Sequence, residues 1–443
     1  LPMRLAREHG GAARFRVLGR EFLAISDPGL ARHILQEKVD DFPRSFHYFT
    51  SRPVLGEGLL TQEGEDWHRA RRMMQPAFRS DPVREVAAAT ARCWTRARPR
   101  WNEVAARGEP IDARLEITRL ALDGITAALC GLEPDLEAAD RFGALVRDAL
   151  LEVRRRNTAI VPRPAWLPAW LPGDGRAILA RIAAALEDFL GPVVDARMKD
   201  PEGRDILSAL VRARDAEGRA FTRRELLDQT KTLFGAGFET TATGLAWALC
   251  EMLDRPDLGD AVGEEARAAG FADDPGVAPG VAPGVAPGEA PGEVPASLAL
   301  DRLALTRRVI DETLRLHPPV YNLGRTVLAD GEYAGKRIRK GTTLLLSVWG
   351  MHRGPAWGPD AERFDPDRWL PDREVPRHAY MPFAAGRHTC IGMHFAQVEM
   401  RVALALLCRD FRIRWAPGAS RPPMRPQITA AANGPISMTV ERR

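Results

Sequence analysis

One stretch limits what this 443-residue chain can become. Residues 222–253 contain no proline and open with Thr222-Arg-Arg-Glu225, the residue types of a helix capping box. About 32 residues rising ~1.5 Å each make a rod of roughly 48 Å, long enough to cross a whole domain. Any fold of this chain has to pack around that rod. Yet its middle, Phe234-Gly-Ala-Gly-Phe-Glu-Thr-Thr241, is a poor local helix. An interior glycine costs about 1 kcal/mol relative to alanine, and here two glycines precede a carboxylate and two β-branched hydroxyls. Such a local conflict inside a strong helix predicts a functional reason for it.

Further helical patterns cover residues 63–130, 176–198, 257–269, 306–316 and 391–408. Breaks are expected at Asp81-Pro82 and at Gly108-Glu109-Pro110. Short strands are expected at 13–18 and 21–25, meeting at Gly19, and at 326–328, 337–339 and 342–348. Ser26-Asp27-Pro28 reads as a helix start. The fold class is therefore mainly α with a smaller β-rich region. Residues 161–172 carry too many prolines for a helix and read as a loop bearing Trp166 and Trp170. GVAP-type repeats make 274–296 a flexible surface insertion in an otherwise single domain, 1–443.

Composition excludes more than it assigns. With 45% hydrophobic and 28% charged residues the chain is globular, and no run reaches the ~18 apolar residues of a membrane span. Sixty-three basic against fifty-nine acidic residues is too even a balance to imply nucleic acid. Five cysteines without a CxxC pair argue against a disulfide framework and against structural zinc, so a reducing, cytoplasmic setting is expected. Leu1 in place of an initiator methionine points to a shortened start.

Chemistry concentrates in Phe383-Ala-Ala-Gly-Arg-His-Thr-Cys-Ile-Gly392. Cys390 stands at the mouth of a helix, where backbone N–H groups stabilise a thiolate able to attack, be oxidised or bind a metal. This segment resembles the haem-binding loop of the cytochrome P450 family, FxxGx[R/H]xCxG. Three other segments strengthen the resemblance. Glu312-Thr-Leu-Arg315 matches ExxR, and Pro366-Asp-Arg-Trp369 resembles PERF with Asp and Trp in place of Glu and Phe. Ala236-Gly-Phe-Glu-Thr-Thr241 matches [A/G]Gx[D/E]T[T/S], in the middle of the long helix. Together they span essentially the whole chain in the family's order.

The resemblance implies a long central helix over haem b (iron protoporphyrin IX), with Cys390 as the iron ligand and Phe383, Gly386 and Gly392 shaping its loop. A thiolate ligand promotes O–O cleavage. Ala236 and Gly237 would let a flat cofactor approach, and Trp67, Arg71, Arg325 and His388 would hold the propionates. Glu312, Arg315 and Arg368 would form a network supporting the loop. Thr240 would hydrogen-bond dioxygen while Glu239 relays protons from solvent; a kink-forming bond from Thr240 to a helix carbonyl is the structural alternative.

The implied reaction is a monooxygenation, inserting one oxygen atom from O2 into an apolar substrate by hydroxylation or epoxidation. A terpenoid, fatty acid or polyketide would suit the apolar residues Phe46, Tyr48, Phe49, Val320 and Leu323. Without a flavin domain, electrons would come from a separate ferredoxin and ferredoxin reductase. Arg69, Arg72 and Arg79 would offer a basic docking face, unless they are a solvated arginine-rich helix. A thiolate-haem isomerase or dehydratase, or a haem-binding sensor, would share the loop but not need Glu239 and Thr240.

Overall fold

The computed structural model describes residues 10–132, 145, 148, 151–153, 155, 176–270, 299–333 and 336–443. The Trp166/Trp170 loop and the GVAP insertion lie outside the described residues. The chain opens with an antiparallel hairpin, β1 (Ala12–Val17) and β2 (Arg20–Ile25), turning at Gly19 with φ +77°. Helix α1 (Pro28–Arg32) follows, capped by the Asp27 side chain on the Leu30 N–H. Next come α2 (Gly64–Met74), α3 (Ser80–Arg107), β3 (Ile111–Asp112) and α4 (Ala113–Cys130). The expected break at Pro82 is not there. The chain instead turns through a 3-10 segment at Gln75–Phe78, and Pro82 sits in the first turn of α3, where a helix needs no donor.

The middle of the chain supplies α5 (Arg176–Lys199), α6 (Ile206–Arg212), the central α7 (Arg223–Asp254) and α8 (Pro256–Ala269). Helix α7 begins where its sequence demands. Thr222 Oγ1 accepts from the Glu225 N–H, and the Glu225 carboxylate accepts from the Thr222 N–H at 2.7 Å. The last third contains α9 (Ala304–Leu316), β4 (Asn322–Thr326), β5 (Gly331–Tyr333), β6 (Lys336–Ile338), β7 (Thr343–Ser347) and α10 (Met393–Asp410). Strands β8 (Phe411–Trp415), β9 (Met424–Pro426), β10 (Ala430–Ala432) and β11 (Ser437–Arg442) end it.

One sheet has the order β1-β2-β7-β4, with β2 and β7 parallel, and a second has the order β3-β11-β8. Strand β4 lies a few residues before its expected place because Leu323 and Arg325 pair with Leu346 and Leu344 of β7. The helices share one large core, in which Trp94, Trp101 and Phe411 meet between α3 and β8. The cost of the α7 glycines is repaid partly by packing. A side chain on Gly237 would press on Ile125 of α4 at 3.0 Å, and one on Gly244 would press on Met400 Sδ of α10 at 2.9 Å. Among the described residues no helix is long and apolar enough to cross a membrane.

Candidate active site

The cysteine loop is held by its backbone. The Cys390 N–H donates to Phe383 O at 2.9 Å, and Thr389 N–H and Oγ1 both donate to Gly386 O. Gly386 has φ +70°, and a Cβ there would lie 2.0 Å from Leu35 O, so only glycine lets the loop pass this close. Gly392 stands at the N-cap of α10, and Phe383 packs partly buried against the helical core.

Of five free cysteines, four are buried and Cys390 is exposed. Burial pushes the thiols of Cys93, Cys130, Cys250 and Cys408 up to about 12. Desolvation also raises Cys390, against the expectation of a depressed thiol; the Gly392 N–H and the Arg71 cation oppose the rise without cancelling it. A sulfur that opens onto space while facing a cation is suited to binding an electrophilic metal.

Around this loop lie three basic side chains, His388, Arg325 and Arg71. His388 is buried 4.6 Å from the Trp67 ring, and neither of its ring nitrogens has a hydrogen-bond partner among the described residues. Its Nε2 is 3.6 Å from Glu63, beyond hydrogen-bonding distance. Arg325 is 1% exposed, its Nη1 donates to Gly324 O, and its Nε has no partner. Half-buried Arg71 has no carboxylate partner among the described residues, and desolvation lowers its pKa. A buried cation without counter-charge is costly; Arg325 and half-buried Arg71 lack a carboxylate among the described residues, and His388, whose pKa burial lowers, can offer a ring N–H beside them, so the three fit a group carrying two carboxylates. The residues present therefore fit haem propionates.

Two details depart from expectation. The Trp67 indole N–H, foreseen on a propionate, donates to Leu59 O at 3.1 Å. Arg44, not foreseen, is buried beneath Trp67 and ties down the same loop through Leu59 O, Leu60 O and Gln62 O.

The support network centres on the Glu312–Arg315 pair, with Arg368 at its edge. Arg315 meets Glu312 through two bonds, 2.8 and 2.7 Å, with both side chains wholly buried. Arg315 also donates to His352 O, Ala361 O and Arg363 O. Arg368 stands 3.5 Å from Glu312 and donates to Trp357 O and Asp360 O. Trp369, the replacement noted in the sequence, gives its indole N–H to Glu312 at 3.0 Å. His352 was not legible as a site residue. Its Nδ1–H donates to Arg315 O, its Nε2 accepts from the Met381 N–H, and it thereby joins the network to the segment just before the cysteine loop. Burial pulls His352 down to about 3, so it stays neutral with this tautomer fixed.

On α7, burial is continuous over residues 226–234 and 241–253, and opens between them with Ala236 exposed. Gly237 faces α4, so Ala236 rather than Gly237 presents the open face. Thr240 Oγ1 donates to Ala236 O at 2.8 Å, the back-bond of the structural alternative. The Glu239 carboxyl accepts from Thr429 Oγ1 at 2.8 Å, and burial raises its pKa. Arg69 is not free for docking: Asp215 and Glu225 bind it at 2.7 and 2.6 Å, whereas Arg72 and Arg79 are exposed.

Comparison with known proteins agrees with this geometry. The family described as Cytochrome P450 matches residues 1–440. Cyclooctatin synthase of Streptomyces melanosporofaciens is 35% identical over 89% of this chain and 80% of its own length. From the same organism, cyclooctat-9-en-7-ol 5-monooxygenase is 31% identical over 98% of this chain and 89% of its own length. Pentalenene oxygenase of Streptomyces avermitilis is 30% identical over 94% and 87%. The crystallised cytochrome P450DA haem domain superposes with a TM-score of 0.81 at 25% identity, covering 100% of this chain and 92% of that one. The fold and site define a haem-iron oxygenase class. The chain belongs to the cytochrome P450 family and is a monooxygenase of that family, using O2 and electrons from a redox partner.

Proposed function

We propose that the protein binds haem b through Cys390 and inserts one oxygen atom from O2 into an apolar, terpenoid-like small molecule, by hydroxylation or epoxidation. The observation that carries this reading is the single exposed thiol near buried Arg325 and half-buried Arg71, neither of which has a carboxylate partner among the described residues. Thiolate-ligated haem supplies the oxygen activation, and the protein directs it. Arg71, Arg325 and His388 would receive the propionates, with Trp67 packed against His388. Ala236 would offer a flat face to the cofactor, and Thr240 would hold a proton at Oγ1 that Glu239 replenishes. The bond to Ala236 O then serves as the resting position of that hydroxyl.

Relatives named for pentalenene and cyclooctat-9-en-7-ol support an olefinic ring compound as substrate, ahead of a fatty acid or polyketide. Phe46, Tyr48, Phe49, Val320 and Leu323 would line its path. The family match from residue 1 to 440 supports one catalytic unit, with 274–296 as a surface insertion. Five free thiols support a cytoplasmic setting. A small acidic ferredoxin and its reductase would deliver electrons, with Arg72 and Arg79 available to meet it. The test is turnover under labelled dioxygen with surrogate ferredoxin and reductase, across terpenoid, fatty-acid and polyketide compounds. A terpenoid product carrying one labelled oxygen is expected. Product formed without dioxygen would make the protein an isomerase or dehydratase, and no product on any compound would leave a haem-binding sensor.

A further inference from the structure

Glu239 and Thr240 are neighbours on α7, so their side chains leave the helix about 100° apart and a proton relay between them depends on where the Glu239 carboxyl is held. A glutamate has three torsions and no intrinsic preference for one position. Among the described residues no cation pairs with it. The one side chain that bears on its carboxyl is Thr429, whose buried hydroxyl donates to Oε1 at 2.8 Å. Thr429 belongs to the turn joining β9 to β10, far away in sequence.

That turn is fixed on every side. Tyr321 Oη donates to Gln427 O at 2.7 Å, and the Gln427 N–H donates to Thr429 O at 2.9 Å. The Ala430 N–H donates to Pro319 O at 2.9 Å, and the Trp247 indole N–H of α7 donates to Ala430 O at 2.7 Å. The hydroxyl is therefore presented from a rigid frame, anchored to α7 itself two turns beyond Glu239 and to the 319–321 segment. Arg425, the charged residue of β9, faces Asn433 instead.

We propose that Thr429 is a positioning residue for proton delivery: it holds the Glu239 carboxyl where it can serve Thr240, in the role an ion pair would otherwise fill. This deepens the relay reading given above and rests on it. A donated hydrogen bond favours the carboxylate, so removing the hydroxyl raises the carboxyl's pKa further and frees its torsions.

The test compares Thr429→Val, nearly isosteric but without the donor, and Thr429→Ser, which restores it, with Glu239→Gln. Infrared difference spectra against pH read the protonated carboxyl directly in the resting protein, and Glu239→Gln identifies its band. In Thr429→Val the titration midpoint is expected to move up by about half a unit to one unit. Peroxide released per electron should rise at least severalfold, and Thr429→Ser should reverse both changes. If Glu239→Gln uncouples turnover while Thr429→Val moves neither readout, the positioning role is wrong and the relay stands. If Thr429→Ser behaves like Thr429→Val, the effect is packing and the proposal fails. If Glu239→Gln leaves coupling unchanged, the relay reading falls and Thr429's role falls with it. Should Thr429→Val not fold, Thr429→Ala carries the same comparison.

Discussion

Arg315 and Arg325 are both fully buried, and they differ in one respect. Arg315 is wholly buried and every contact it needs is supplied by protein: two bonds to Glu312 and three to backbone carbonyls. Arg325 is almost as buried, yet its Nε is unpartnered, and half-buried Arg71 likewise has no carboxylate partner among the described residues, while His388 has Glu63 at 3.6 Å. Arg315 is complete as protein and serves structure, whereas an anionic ligand would complete Arg325. A carboxylate partner, which Arg315 and Arg368 both have in Glu312 and Arg325 lacks among the described residues, thus separates scaffold from site more sharply than burial does.

The largest test of that contrast is a pair of substitutions. Glu312→Ala leaves Arg315 buried and uncompensated, and should destabilise the protein by about 3–5 kcal/mol with or without haem. Arg325→Met should do the opposite in haem-free protein, leaving the denaturation midpoint unchanged or raised, while haem is retained roughly tenfold less tightly, a loss of about 1.4 kcal/mol. Denaturant titration and haem transfer to an acceptor globin measure the two effects. Equal destabilisation of haem-free protein by both would erase the distinction.

A second test uses a buried group that neither arginine explains. Neither oxygen of Glu399 on α10 has a hydrogen-bond partner among the described residues, and a Cβ on Gly124 of α4 would lie 2.3 Å from its Oε1. Neighbouring Thr241 gives its hydroxyl to Gly237 O instead. Burial pushes Glu399 up to about 8. Below pH ~4.5 both folded and unfolded forms hold the proton; between there and ~8 only the folded form does, so stability falls as pH rises through that window. The loss is at most on the order of 5 kcal/mol, and Glu399→Gln should remove that slope from the thermal midpoints. An unchanged slope would show that Glu399 is ionised in the native protein.

What the sequence made legible follows the same division. Local signals were readable: the Thr222–Glu225 capping box, the Asp27 cap and the Gly386 turn each act within a few residues. So were the site motifs, whose chemistry depends on spacing along one helix or loop, as in Glu312 and Arg315. Contacts joining distant segments were mostly not, Arg368 beside Glu312 being the exception that the motif resemblance carried. Thr429 on Glu239, Trp369 on Glu312, His352 between Arg315 and Met381, and β11 between β3 and β8 all depend on the third dimension. Gly237 shows the intermediate case. Its presence was flagged correctly as costly, but only the structure reveals that Ile125 occupies the space it leaves.

The central claim is that the exposed sulfur of Cys390 ligates haem iron. Its most direct test is the carbon-monoxide difference spectrum of the reduced protein, recorded beside Cys390→Ser and a buried-thiol control, Cys250→Ser. The account predicts a thiolate-type Soret band in the parent and in Cys250→Ser, and its disappearance in Cys390→Ser. A thiolate band that survives in Cys390→Ser, or one that never forms in the haem-loaded parent, would contradict it.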